Sequence, residues 1–236
     1  MTFVLVHGSG FAASCWDDVV PLLSEPARAI DLPGRGTHPR PLQELTISVF
    51  ADAVAEEMVA GDLRDVVLVG HSLAGITLPA VVERVPDRIR HVVFVAAAVP
   101  PDGKRVVDTL DPDLQDFVAE NARLPPQVMD AAMATALFCD GMDEDQRART
   151  LSIMVAEGPH LVLEPVSLAG MERGVTRSWI RLERDIVNPP ERQNDAIERL
   201  AAQPYSLDAG HMAMITHPEE LAALLSAIAA QAAPPT

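Results

Sequence analysis

Three residues far apart in the chain have types that together can move an acyl group: Ser72, Asp185 and His211. Ser72 ends the apolar run Val66-Val67-Leu68-Val69 and sits within Gly70-His71-Ser72-Leu73-Ala74-Gly75. A buried strand that turns straight into a helix needs nearly side-chain-free residues two before and two after the turning residue, and Gly70 and Ala74 meet that need. Ala74 exceeds a second glycine by one methyl, and Gly75 beside it eases the packing. A serine on such a turn becomes a nucleophile when a histidine takes its proton. His211 follows the run 205–207, in the loop where that base is required. Asp185 follows the run 178–182, before Pro189-Pro190 opens a helix. A carboxylate there would accept the other ring N–H of His211 and fix its tautomer. Glu183, two residues earlier, competes for the role, and Asp208 reads as a turn or capping residue.

Acyl transfer also needs N–H donors aimed at the developing oxyanion. Small residues in His7-Gly8-Ser9-Gly10-Phe11 let the backbone approach a reacting carbonyl, so the amides of Ser9 and Leu73 are the candidates. His7 is expected to brace this loop and His71 to point away from substrate. Phe11, Met212 and Met214, with Met129, Met133 and Phe138 further along, are the candidate lining of an apolar acyl pocket. Methionine at helical spacing is more often core than pocket lining. No cofactor and no metal are implied.

The elements that must position these residues are legible as alternation. Short β-rich runs at 3–6, 28–31, 66–69, 91–97, 178–182 and 205–207 are separated by stretches of helical period. This predicts an α/β fold, a mostly parallel sheet of about six strands with helices on both faces. Ser14 with Asp17 predicts a capped helix carrying Trp16, Val19, Val20 and Leu23. Thr216 with Glu219 predicts another, whose Leu221, Leu224, Leu225 and Ile228 face the sheet. From Pro100 to about Met171 the alternation stops, broken by Pro125-Pro126 and Asp140-Gly141. The division expected is a catalytic core of 1–99 and 172–236 with an inserted helical lid at 100–171, one domain overall; a helical layer with no role at the site is the alternative. The Ala/Pro tail after Ala229 is expected to fray.

Composition sets limits on partners. The chain has 236 residues, 48% of them apolar, with 34 acidic against 18 basic residues and a formal charge of −16. Such a surface repels nucleic-acid phosphates and anionic membranes. Its two cysteines, Cys15 and Cys139, are too few for a disulfide framework and lack metal spacing. The apolar N-terminus lacks a basic leader and no run is long enough to span a membrane, so a cytoplasmic protein is expected. A small-molecule ester is the expected partner, and a homodimer is compatible with the sequence.

His7-Gly8, Trp16, Asp31-Leu32-Pro33-Gly34, Gly70-His71-Ser72-Leu73-Ala74-Gly75 and His211-Met212-Ala213-Met214 together resemble the α/β-hydrolase superfamily. More narrowly, they resemble its plant-type methylesterases and hydroxynitrile lyases with their bacterial relatives. The resemblance implies the α/β-hydrolase fold, with the order serine, acid, histidine along the chain. It covers both ends of the chain and the insertion only loosely. The lyases of this branch place a lysine after the histidine and a threonine beside the first oxyanion residue, whereas this chain has Met212 and Gly8, as the methylesterases do. The resemblance therefore favours hydrolysis of a small, largely apolar carboxylic ester through an acyl-enzyme. The rivals are carbon–carbon hydrolysis, cyanohydrin cleavage or cofactor-free oxygenation on the same three residues, and a receptor that does no chemistry.

Overall fold

The computed structural model describes residues 1–36 and 38–232. Six strands, β1 (Thr2–Val6), β2 (Ala27–Ile30), β3 (Val66–His71), β4 (Ile89–Val95), β5 (Thr176–Leu182) and β6 (Gln203–Leu207), form one sheet in the order β2-β1-β3-β4-β5-β6. All pairings are parallel. The α-helices are α1 (Ile47–Ala60), α2 (Leu78–Arg84), α3 (Pro112–Asn121), α4 (Ala131–Phe138), α5 (Glu144–Ser152), α6 (Pro190–Leu200), α7 (Ala213–Thr216) and α8 (Pro218–Ala232).

Both faces of the sheet are covered, which is why its central strands read as continuous apolar runs. Val4, Val6, Leu68, Val92, Phe94 and Trp179 face one way, into a cluster shared with α1, α2 and α6. Their neighbours Phe3, Leu5, Val67, Val69, Val93 and Ile180 face the other way, against Trp16 and α8. The edge strands are more polar; β6 includes Pro204, tolerated at an edge where no further strand needs its N–H. Thr46 caps α1 by accepting from the Val49 N–H at 3.1 Å, and Phe50, Val54 and Met58 recur on its buried side.

Two sequence expectations are corrected here. No α-helix follows Ser14: the segment makes 3-10 turns at Ala13–Trp16 and Val20–Leu22. Pro21 cannot donate inside a helix, and the Ala13 N–H is taken by the Asp31 side chain at 2.8 Å. Trp16 and Val19 are nonetheless fully buried. The last helix does not start on a Thr216 cap either; Thr216 closes α7, donating to the Met212 carbonyl at 3.3 Å, and α8 begins at Pro218. Residues 230–232 of the tail continue α8, and the rest of the tail lies outside the described residues.

Between β4 and β5 the chain leaves the sheet and forms α3, α4 and α5. Asp130 caps α4 through the N–H groups of Ala132 and Met133, and Asp143 with Gln146 forms a capping box on α5. The two feet of this excursion are clasped by Gly103 N–H to the Val166 carbonyl, 2.8 Å, and Val166 N–H to the Lys104 carbonyl, 2.9 Å. A second tie holds its far side to the β1 loop. Glu157 accepts from the Gly10 N–H at 3.1 Å and pairs with buried Arg35, which also donates to the Phe11 carbonyl at 3.0 Å and lies over the Phe50 ring. Among the described residues no helix is long and apolar enough to cross a membrane.

Candidate active site

The C-terminal ends of three strands bring together the three candidate side chains. Ser72 follows β3 with a φ of 53°, in the left-handed region that a serine rarely occupies. Two close approaches pack this turn against its neighbours. A Cβ on Gly8 would come within 2.8 Å of the Ser72 Cβ, and one on Gly75 within 2.6 Å of the Ala98 carbonyl oxygen. The segment Ser72–Ile76 winds as a 3-10 turn before α2 begins.

His211, in the loop after β6, has Nε2 3.0 Å from Ser72 Oγ and Nδ1 2.7 Å from Asp185 Oδ2. A carboxylate only accepts, so Nδ1 holds the ring proton and Nε2 is free to accept from the serine hydroxyl. Asp185 is 2% exposed, and its second oxygen accepts from the N–H groups of Val187 at 2.8 Å and Asn188 at 3.0 Å. Glu183, the rival acid, instead pairs with Arg181 at 2.7 Å, and Asp208 pairs with Arg184 at 3.1 Å on the surface.

The other buried histidines at this end cannot compete as bases. His7 donates from Nδ1 to the Gly8 carbonyl at 2.8 Å and accepts at Nε2 from the Leu32 N–H at 3.2 Å, bridging the loops after β1 and β2. Burial, with Arg35 nearby, lowers its pKa to about 3. His71 donates from Nε2 to the His211 carbonyl at 2.9 Å and meets Trp16 edge-on. Burial, and then the neighbouring His211, holds its pKa well below the usual histidine range.

Sequence reasoning missed two residues behind Asp185. Asn188 Nδ2 donates to the Ala97 carbonyl at 2.9 Å, tying the Asp185 loop to the end of β4. Gln193, fully buried on α6, donates to the Asn188 carbonyl at 2.7 Å and accepts from Trp179 Nε1 at 3.2 Å. The available signal was periodicity: Gln193 shares the buried face of α6 with Ala196 and Leu200, and a glutamine on an apolar face needs partners.

A cavity of about 1020 Å³ opens at Ser72. Ser9 and Leu73, the expected oxyanion donors, line it beside the serine. Leu73 stands in the first turn after Ser72, where leading amides have no partner within the turn. Met129 and Phe138 also line it, from the insertion. Phe11, Met212 and Met133 do not. Phe11 and Met212 are buried in the cluster behind the site, Phe11 meeting Phe138 edge-on at 5.5 Å, and Met214 is buried there too. Met133 lies one helical step from buried Ala134, and that step of about 100° turns it to solvent, 45% exposed. The cavity wall also includes Lys104, Arg105, Arg192 and Arg199.

The family model described as the alpha/beta hydrolase family matches residues 3–224, and the chain belongs to that family. It is 29% identical over 256 residues to "Probable esterase PIR7A" of Oryza sativa subsp. indica, covering 97% of each chain. It is 28% identical to "Methylesterase 10" of Arabidopsis thaliana, covering 97% of this chain and 92% of that one. Among solved structures, an extracellular alpha/beta-hydrolase from a Paenibacillus species superposes with a TM-score of 0.85 at 22% identity, over 95% of this chain and 97% of that one, a likeness of fold. The resemblance to the methylesterase branch read from the sequence therefore stands.

Proposed function

We propose that this protein hydrolyses carboxylic esters through an acyl-enzyme on Ser72. The observation behind this reading is the continuous relay from Ser72 Oγ to His211 at 3.0 Å and on to Asp185 at 2.7 Å, opening on the cavity. In the proposed reaction Ser72 Oγ attacks the ester carbonyl while His211 Nε2 takes its proton. Asp185 stabilises the resulting imidazolium, and the Ser9 and Leu73 amides hold the oxyanion. His211 then protonates the leaving alkoxide. A water, deprotonated by the same nitrogen, releases the acid and restores Ser72. No step calls for a cofactor or metal.

The insertion acts as a lid in this reading, because Met129 and Phe138 supply apolar wall over the serine. The named relatives are esterases, which agrees with hydrolysis. The residue following His211, Met212, is buried and gives no fixed cation beside the leaving group, which counts against cyanohydrin cleavage; the cations the cavity wall does hold, Lys104, Arg105, Arg192 and Arg199, make mandelonitrile the necessary control. The test is a panel of aryl and methyl esters run beside mandelonitrile, with wild type and Ser72→Ala. Ester turnover that vanishes in Ser72→Ala supports the proposal; cyanide release without ester hydrolysis overturns it.

A further inference from the structure

The cavity wall has a charge opposite to that of the molecule. Of 18 basic residues in the chain four line the cavity, Lys104, Arg105, Arg192 and Arg199, against Asp108 and Asp195 among 34 acidic ones. Arg192, Asp195, Ala196 and Arg199 recur at i, i+3, i+4 and i+7 on α6, so one stripe of that helix faces the cavity.

The pairing of these charges is uneven. Asp108 occupies Arg105 with a contact of 2.6 Å. Arg192 donates only to the Val187 carbonyl, at 3.2 Å, and Arg199 donates to the carbonyls of Val99 and Asp195. Among the described residues neither arginine forms a salt bridge with a carboxylate, and neither does Lys104. Burial lowers the pKa of Arg199, with Asp195 partly opposing the shift. Arg199 remains an exposed residue, so it offers a bound anion a guanidinium that no carboxylate already occupies.

We propose that the ester this protein cleaves carries a second, free carboxylate, held by Arg192, Arg199 and Lys104 while its ester carbonyl lies at Ser72. The proposal rests on the ester-hydrolase reading and names its substrate class. A monoanion fits better than a phosphate dianion because Asp108 and Asp195 stand on the same wall. Val187 and Asn188, whose N–H groups hold Asp185, line the same cavity as Arg192, and Arg199 lies about 10 Å beyond Arg192 along the helix, at 1.5 Å per residue. A half-ester of a straight-chain dicarboxylic acid has the two groups required, and its chain length is the variable that the experiment reads.

The experiment compares mono-p-nitrophenyl esters of dicarboxylic acids of increasing length with p-nitrophenyl esters of the matching monocarboxylic acids. At the fitting length the charged ester is expected to have the higher kcat/KM by about tenfold, the worth of one charge-assisted contact of about 1.4 kcal/mol. The preference should shrink as salt is added. Arg192→Gln and Lys104→Ala should each reduce it, and Arg192→Glu should reverse it; Lys104 is exposed and Arg192 only half-buried, so these variants are expected to fold. Binding of the free dicarboxylate to Ser72→Ala, followed by calorimetry, gives a readout independent of turnover and should weaken in the same variants. Neutral esters favoured at every length, or dicarboxylate binding unmoved by Arg192→Glu, overturn the charge proposal and leave the esterase reading standing. Dicarboxylate binding that is lost in Arg192→Glu, with no ester cleaved by wild type, overturns the esterase reading alone.

Discussion

Ser72 is held where its own backbone resists. A non-glycine residue in the left-handed region costs about 1–2 kcal/mol, while glycine brings an entropic cost of about 0.5–1 kcal/mol. Ser72→Gly should therefore abolish hydrolysis and raise thermal stability, by on the order of 2 °C for a chain of this size. A melting temperature below that of wild type would mean the serine side chain is structural and not strained. Asp185 invites the opposite experiment. Asp185→Asn keeps the volume but offers His211 Nδ1 a side chain that can donate, favouring the wrong tautomer, so kcat should fall about 10⁴-fold with the circular-dichroism spectrum unchanged. Glu183→Gln, whose carboxylate faces Arg181, should leave kcat within a fewfold of wild type. If the two results are exchanged, the orienting acid is Glu183.

At the scale of elements, the sheet was legible because its central strands are buried on both faces and so are written as unbroken runs of valine, leucine and phenylalanine. Ser72 was legible because it follows such a run directly; Asp185 and His211 follow more polar strands, and were legible because only loop residues at strand ends can converge on it. What stayed hidden depended on partners distant in sequence. The capping pattern at Ser14 gave no hint that Asp31 would take the Ala13 N–H. Gln193 could be placed on a buried face, yet nothing local says that it bridges Trp179 and Asn188. Removing that bridge should act on the site through the Asp185 loop. Gln193→Leu strands the Trp179 N–H and the Asn188 carbonyl, so stability should drop by about 1–3 kcal/mol in urea titration, with kcat falling more than KM rises. A stability loss with unchanged kcat would show that the loop holds Asp185 without it.

For the whole molecule, buried histidines set the response to acid. His7 and His91 are held neutral, with pKa values lowered to about 3 and about 4, chiefly by burial. In the unfolded chain both titrate near 6.5, so below that pH the unfolded state binds the extra protons. Stability from these groups is complete above about pH 6.5 and is lost as pH falls toward 4. Melting temperature should decline across that window, and His91→Gln, which can still pair with Thr176 and Ser178, should flatten the decline. The insertion should not melt separately. Its Leu161 and Val166 belong to one core cluster and its Ala134, Phe138 and Met142 to the other, so calorimetry should record one transition.

The clasp between Gly103, Lys104 and Val166 has a consequence for how such a protein can change over generations. Seen from the sheet, everything between those hydrogen bonds is a closed loop whose ends are already paired, and lengthening a flexible loop costs only about 0.6 kcal/mol per doubling. The β4–β5 register that brings Asp185 to His211 is therefore insulated from gains and losses of residues inside the loop. Lineages can alter the insertion while inheriting the strands and loops that bring Ser72, Asp185 and His211 together. Residues added or deleted at 122–128, between α3 and α4, should shift which acyl groups are preferred by more than they shift melting temperature. A library built there and sorted for stability should retain ester cleavage in most folded members.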